Sequence, residues 1–340
     1  MSHSVQLEEP GENLASAPEI VTARDKGGWR DYLALARLDH MTKHVFILPG
    51  IVLAYVLHRS ALEGLPVDVL TGFLSAVLIA SANYVINEWL DREFDAFHPK
   101  KSGRTAVNKH LSERLVYAEY LALLAAGLAL AWLVGTPFFC VSVLFGLSGL
   151  AYNVRPLRTK DRVYLDVISE SVNNPLRLTL GWLMVDSNTL PPSSLLLAYW
   201  AGGAFLMGAK RLSEYRDISH SEGVAVLHRY RRSFSAYTAE NLTVSCFLYA
   251  IMSAFFIAIF LIKYRLEYII ALPAIGVLFA LYLWLALLRD SIAQRPERLF
   301  RSRRLMTSVA LVVVMLLIAT FVDIPALGYL SEPGLIRVGR

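Results

Sequence analysis

Nine apolar stretches constrain this chain more than any other feature of its sequence. Each approaches the ~20 apolar residues that cross a bilayer, and short polar segments separate them. The stretches are residues 43–57, 67–87, 116–134, 138–152, 165–185, 195–213, 242–262, 268–288 and 305–322. A mean hydropathy of +0.46 is typical of a chain whose solvent is mostly lipid. The sequence therefore predicts an all-α polytopic membrane bundle of nine transmembrane helices.

Positive charge lies on alternate loops between these stretches. The basic loops are residues 100–114, 155–162, 216–232 and 289–304, and the other loops carry few Lys or Arg. Since basic loops remain on the cytoplasmic side, we expect the N-terminus and these loops to be cytoplasmic in a bacterial inner membrane. Because the basic residues alternate with spans instead of covering a soluble domain, no nucleic-acid partner is expected. The two cysteines, Cys140 and Cys246, lie inside apolar stretches, so neither a disulfide nor a thiolate metal site is expected.

The strongest local pattern lies at the cytoplasmic end of the second stretch. Asn87, Asp91 and Asp95 are spaced four residues apart, which places them on one face of a helix. Carboxylates this close repel one another unless a cation neutralises them, and oxygen ligands of this kind suit Mg²⁺. The alternative is a solvated helix end with no ligand. Polar side chains in one stripe at membrane depth favour a functional site, so we expect Asn87, Asp91 and Asp95 to bind Mg²⁺.

A basic turn follows this acidic face directly. His98, Lys101 and Arg104 lie within ten residues of Asp95. A metal alone leaves residual negative charge on a diphosphate, and Lys or Arg can neutralise the rest and stabilise the leaving group. We therefore expect a catalytic set of Asn87, Asp91, Asp95 and Lys101.

These motifs resemble those of the UbiA superfamily of intramembrane prenyltransferases. The similarity rests on the Asn87, Asp91 and Asp95 pattern, the basic turn after it, and nine spans over most of the chain. It implies a helical bundle around a central cavity that opens to lipid, with Mg²⁺ between two polar motifs at the cytoplasmic side. On this basis residues 29–325 form one transmembrane transferase domain. Residues 1–28 are expected to be a disordered N-terminal tail and 326–340 a C-terminal tail.

The second polar motif departs from the family pattern. Where most members have an Asp-rich run after the sixth span, this chain has Lys210, Arg211 and Glu214, with Asp217 beyond them. This exchange resembles the branch that transfers phosphoribosyl groups to polyprenyl phosphates. The resemblance implies that phosphoribosyl diphosphate binds through Mg²⁺ and that a polyprenyl phosphate is the acceptor. The substrate-binding residues that it implies are Lys43, Arg104, Tyr152, Arg158, Lys160, Arg177, Lys210, Arg211 and Glu214.

Two other functions stay open at this point. A UbiA-type prenyltransferase would move a prenyl group from its diphosphate to an aromatic acceptor, but a second Asp-rich motif is expected near residues 214–222. A non-enzymatic transporter would place ionisable residues near the middle of the membrane or contain paired broken helices. The phosphoribosyl resemblance implies a role in arabinosyl-donor synthesis, either for cell-wall arabinan or for nodulation signals. The sequence leaves that pathway, the polyprenyl length and the oligomeric state undetermined.

Overall fold

The regular structure of the chain is helical. The computed structural model describes residues 25–58, 65–288, 291–294 and 302–328. Most of the predicted N-terminal tail, the basic loop 289–304 and the C-terminal tail lie outside these ranges. In the described part, the one isolated β-bridge joins Lys26 to His110, and the Gly27 amide donates to the His110 carbonyl at 3.1 Å. Residues 25–27 therefore lie against the loop that carries His110.

Thirteen α-helices are present in the described ranges. They are α1 (Trp29–Leu35), α2 (Leu48–His58), α3 (Leu65–Asp95), α4 (Thr105–Asn108), α5 (Glu113–Val134), α6 (Thr136–Asn153), α7 (Leu165–Ser171), α8 (Asn173–Leu183), α9 (Ser193–Ser221), α10 (Val224–Tyr230), α11 (Ala239–Tyr264), α12 (Leu272–Leu287) and α13 (Arg303–Phe321). Short 3-10 helices cover Leu38–Ile47, Thr159–Asp161, Arg232–Ala236, Leu266–Ala271, Ile292–Gln294 and Pro325–Leu327.

The prediction of nine transmembrane helices is confirmed for six segments. In the described part of the chain, six helical segments are long and apolar enough to cross a membrane: Leu65–Asp95, Glu113–Val134, Thr136–Asn153, Ala239–Tyr264, Leu266–Leu287 and Arg303–Phe321. The first predicted stretch is apolar but short, at Lys43–Leu57. The fifth is divided into α7 and α8 at Val172, and the sixth, α9, carries charged residues in its C-terminal half. These three segments therefore do not qualify on length and hydropathy.

Helix α3 determines where the site lies. It runs for 31 residues and continues eight residues beyond the predicted end of its apolar stretch. Because the helix is unbroken to Asp95, its last turns carry Asn87, Asp91 and Asp95 on one face. At the other side of the membrane, Gly135 separates α5 from α6 with a φ of 146°, which a residue with a side chain would not adopt without strain. This single glycine lets the two helices turn back on each other.

Two glycines set the distance between α2 and α8. A Cβ at Gly50 would lie 2.0 Å from the Leu178 carbonyl oxygen, and one at Gly181 would lie 2.1 Å from the Ile47 carbonyl oxygen. Both clashes are with backbone, so the two helices could not approach this closely with any larger residue. Small residues commonly allow such close approach between membrane helices. The contact holds α8 and its Arg177 against the core formed around Ile79, Phe138 and Leu180.

Candidate active site

A polar cavity of about 480 Å³ lies at the C-terminal end of α3. Its wall includes residues of α3, α6, α7, α8, α9 and α10 and of the loop that follows α3. Eleven of the thirteen site residues expected from sequence line it: Lys43, Asn87, Asp91, Asp95, Lys101, Arg104, Tyr152, Arg177, Lys210, Arg211 and Glu214. Arg158 and Lys160 do not line this cavity, since they lie behind Asp91 and bind its carboxylate.

The α3 face presents three oxygen-bearing side chains to the cavity. The Asn87 Nδ2 donates to Asn153 Oδ1 at 2.5 Å and lies 3.4 Å from Asp91 Oδ2. The Asn153 amide is itself fixed, because its Nδ2 donates to the Gly149 carbonyl and its Oδ1 accepts from Lys160. Asn87 must therefore turn its nitrogen toward Asn153. Among the described residues no donor bonds to Asn87 Oδ1, which leaves this oxygen available to a cation.

This donor set fits Mg²⁺. Asn87, Asp91 and Asp95 offer amide and carboxylate oxygens on one helix face of one cavity. Residues 25–58, 65–288, 291–294 and 302–328 contain no group of three or more His, Cys, Asp or Glu placed to hold a metal. Mg²⁺ is commonly bound through one or two carboxylates, with water and substrate phosphate supplying its other ligands. The site therefore suits a metal that arrives with a phosphorylated substrate.

Both carboxylates of the α3 face are paired with cations. Asp91 binds Lys160 and, at 3.1 Å, Arg158, and Asp95 binds Arg104. Lys160 is only 2% exposed, although it belongs to a loop that the sequence would place at the membrane surface. Burial lowers the pKa of the Lys160 ammonium to about 8, and the adjacent Asp91 carboxylate opposes that shift. A buried ammonium requires such a partner, because an unpaired charge away from water is costly.

The loop after α3 brings a second set of charged residues to the α3 face. Lys101 bonds to the Tyr230 hydroxyl and lies 3.6 Å from Glu214. Burial lowers the Lys101 pKa to about 7, and the Glu214 carboxylate opposes this effect. His98 Nδ1 accepts from the Lys100 and Lys101 amides, and burial together with Lys101 lowers its pKa to about 3. His98 is therefore neutral and shapes the turn that carries Lys101.

Arg211 is the centre of a network on the opposite wall. It donates to Asp166 at 3.2 Å, to Glu214 at 2.9 Å and to Glu170 at 3.0 Å. Glu170 also accepts from the Tyr152 hydroxyl at 2.8 Å. Arg211 and Glu214 thus hold each other in place, and Lys210 and part of Arg211 line the cavity.

Several wall residues were not expected from sequence. They are Tyr84, Glu170, Tyr230 and Gln294. Glu170 could have been found, because it is a carboxylate inside an apolar stretch, and such residues are usually functional. Asn153 follows the predicted Tyr152, but its bond to Asn87 joins residues 66 positions apart. Asn173 also lines the cavity and accepts from Ser148 of α6 at 2.8 Å.

A smaller and more apolar cavity of about 160 Å³ adjoins the polar one. The two share Lys43, Tyr84, Glu170, Arg177 and other wall residues. The smaller cavity adds apolar side chains, which include Val45, Phe46, Leu206, Met207 and Tyr282. The combined space therefore offers a polar chamber for phosphate groups and an apolar branch beside it.

A helical bundle around a site of this kind is typical of a membrane-embedded transferase. Sequence comparison identifies the family to which the chain belongs. The chain belongs to the UbiA prenyltransferase family, whose sequence model matches residues 45–309. The family prediction is thereby confirmed, and the chain is an integral membrane protein of this family.

Two curated proteins with similar sequences are named as prenyl-transferring enzymes. The protoheme IX farnesyltransferase of Alkalihalophilus pseudofirmus is 27% identical over 259 residues, which is 73% of this chain and 82% of that protein. The same enzyme of Geobacillus kaustophilus is 25% identical over 197 residues, 56% of this chain and 63% of that protein. These names do not support the narrower prediction of the phosphoribosyltransferase branch, nor arabinosylation or nodulation.

The solved structures show the same fold. A UbiA homolog from Archaeoglobus fulgidus, bound to GPP and Mg²⁺, has a TM-score of 0.62 at 19% identity. The match covers 86% of this chain and 100% of that one. The likeness supports the all-helical, UbiA-like fold that the sequence resemblance implied.

Proposed function

We propose that the protein transfers a prenyl group from a prenyl diphosphate to an acceptor dissolved in the membrane. The observation that carries this proposal is the single cavity in which the α3 oxygen face lies opposite Lys101 and Lys210 and beside an apolar branch. A prenyl diphosphate has the same two parts, a highly charged head and an apolar chain. The names of the relatives, protoheme IX farnesyltransferases among them, support this donor class over phosphoribosyl diphosphate.

The wall residues divide the work of binding the head group. Asn87, Asp91 and Asp95 would hold Mg²⁺, which when bound neutralises diphosphate charge and so favours departure of the diphosphate. Lys101 and Arg104 come from the loop beside this face, where their positive charges stabilise the leaving group. The bond from the prenyl C1 to the diphosphate oxygen breaks, the acceptor forms a bond to C1, and the acceptor proton leaves to solvent.

The apolar branch orients the donor chain. A chain that enters between Phe46 and Leu206 places its diphosphate end beside Lys43 and Lys210, at the junction of the two cavities. Burial of apolar surface contributes about 25 cal/mol per Å², so this branch adds affinity in proportion to the chain buried. Charge therefore fixes the position of the reacting end, and the apolar chain fixes its direction.

A second candidate, transfer of phosphoribosyl to a polyprenyl phosphate, is favoured by one observation. The cavity wall has nine Lys or Arg and four Asp or Glu residues, and Lys210 and Arg211 are among the cations. A surplus of cations suits a donor with a further phosphate beyond its diphosphate. The apolar branch would then hold the polyprenyl acceptor.

One experiment separates these functions. Purified protein in lipid nanodiscs with Mg²⁺ is given either farnesyl diphosphate with 4-hydroxybenzoate or protoheme, or phosphoribosyl diphosphate with a polyprenyl phosphate. Products are followed by mass spectrometry of the organic phase. A prenylated acceptor that disappears with EDTA and in Asp91→Asn supports the first proposal. Phosphoribosylated lipid alone would overturn it in favour of the second. No product in either arm, with Mg²⁺ uptake by proteoliposomes, would support the transport alternative instead.

A further inference from the structure

Two cations contact Asp91 from outside the polar cavity. The α3 face that carries Asn87, Asp91 and Asp95 is called the metal face below. Arg158 and Lys160 belong to the loop between α6 and α7, and both bind Asp91 through the same oxygen, Oδ1. The Asp91 Oδ2 is left toward Asn87, 3.4 Å from its Nδ2. The carboxylate is therefore held in one orientation, with one oxygen on the cations and the other toward the cavity side.

Lys160 also acts on the second expected metal ligand. Its Nζ donates to Asn153 Oδ1 at 2.8 Å, which makes that oxygen an acceptor. Asn87 must then offer its nitrogen to Asn153 and keep its Oδ1 free for another partner. One buried ammonium thus fixes the orientation of both Asp91 and Asn87.

The loop is built to hold this arrangement. Arg158 has a φ of 31°, a left-handed conformation that a residue with a side chain seldom adopts. Its guanidinium also donates to the Asn153 carbonyl at 3.0 Å and to Asp161 at 2.9 Å. Strained backbone persists where surrounding contacts fix it, and such positions concentrate at functional sites.

The carboxylates of the α3 face and its surroundings are already paired with cations. Asp91 and Asp161 pair with Arg158, Asp91 also pairs with Lys160, and Asp95 pairs with Arg104. A bare Mg²⁺ ion would add positive charge to a cation-rich site and would compete with Lys160 and Arg158 for Asp91. A Mg²⁺ ion that already carries a diphosphate is negatively charged overall, and the cation-rich wall attracts it.

We propose that Lys160 and Arg158 are positioning residues that orient Asp91 and Asn87 and suppress binding of free Mg²⁺, so that the face accepts the metal only together with a diphosphate. This inference rests on the proposed Mg²⁺–diphosphate site, and it holds for either donor. It gives Arg158 and Lys160 a different role from the substrate contacts expected from sequence.

Two variants and a matched control test the proposal without turnover. The thermal unfolding midpoint is measured against MgCl₂ concentration, with and without inorganic diphosphate. Wild type is expected to respond to Mg²⁺ strongly only when diphosphate is present. Lys160→Met and Arg158→Gln are expected to respond to Mg²⁺ in the absence of diphosphate. Their half-maximal Mg²⁺ concentration should be at least about tenfold lower than that of wild type measured without diphosphate. Arg155→Gln, on the same loop but exposed and without a partner among the described residues, is expected to behave as wild type.

Enzymatic turnover should fall in both variants, although their response to free Mg²⁺ becomes stronger. Residues that orient metal ligands typically contribute about 10–100-fold to activity, so both variants should transfer more slowly although they bind free Mg²⁺ better. Arg158→Gln carries the test if Lys160→Met does not fold. Equal Mg²⁺ responses in Arg158→Gln, Arg155→Gln and wild type would overturn the inference while leaving the proposed function intact. Absence of any Mg²⁺ response in wild type with diphosphate would overturn the metal site itself, and the inference with it.

Discussion

Replacement of Asp166 by Asn should be among the most destabilising conservative changes in this protein. The Asp166 carboxylate has no exposed surface. Its Oδ2 accepts from Arg211 Nε at 3.2 Å and from Ser233 at 3.1 Å, and its Oδ1 accepts from Tyr237 at 2.6 Å. Arg231 lies 3.7 Å away. An asparagine keeps the size but removes the negative charge and turns one acceptor oxygen into a donor, so Arg211 loses a buried anionic partner.

The magnitude follows from what Arg211 loses. Removing one partner of a buried ion pair costs about 3–5 kcal/mol, because the remaining charge stays buried. Arg211 keeps its bonds to Glu214 and Glu170, so the lower end of that range, about 3 kcal/mol, is expected for Asp166→Asn. Arg231 and Tyr237 would also lose their anchor, and with them the segment that carries Arg231 to Tyr152.

The assay is reversible unfolding in mixed micelles, compared with Asp323→Asn. Asp323 also pairs with an arginine, Arg265 at 2.6 Å, but its side chain is 84% exposed. Solvent-exposed pairs contribute below about 1 kcal/mol, so this control isolates the effect of burial. A loss of less than about 1 kcal/mol in Asp166→Asn would show that the network does not hold the wall, and would refute the reasoning.

Three further predictions concern charge and packing. The Lys101 pKa is lowered to about 7 from 10.5, so the unfolded chain binds the extra proton between these values, and the free energy of unfolding should rise with pH across that window. As pH rises through about 7, Lys101 loses its charge, so kcat/KM for the donor should fall. Lys101→Arg should remove this fall in kcat/KM, because an arginine keeps its charge. A pH profile that is the same in Lys101→Arg and wild type would contradict the role of Lys101 in donor binding. Asp91→Asn should abolish Mg²⁺-dependent transfer in protein that remains monodisperse by size exclusion, and normal turnover would exclude the metal role. Gly181→Ala should lower the free energy of unfolding by about 1–3 kcal/mol, because the added Cβ would clash with backbone. Gly276→Ala is the control and should be neutral or stabilising, since nothing lies within 4 Å of a Cβ there. Equal effects of the two substitutions would disprove the close approach of α2 and α8.

Local periodicity explains what could be read from the residues alone. Apolar stretches predicted the six helical segments that are long enough to cross a membrane, because a backbone in lipid must satisfy its hydrogen bonds internally. The spacing of Asn87, Asp91 and Asp95 predicted their shared face, because residues four apart lie on the same side of a helix. The basic turn with Lys101 and Arg104 follows α3 directly, and both residues line the same cavity as this face.

Long-range packing decided the rest. Hydropathy could not show that the fifth stretch breaks at Val172, which lies between the separate helices α7 and α8. Nor could spacing show that Lys160 is buried against Asp91, since the two are joined only by the packing of α6 on α3. Sequence places a charged residue along one helix, whereas its partner comes from another helix whose approach depends on features such as Gly50 and Gly181. The sequence by itself therefore determined most of the membrane-length helices and the shared α3 face of Asn87, Asp91 and Asp95. Only the tertiary structure decided which cations reach the cavity and which hold Asp91 from outside it.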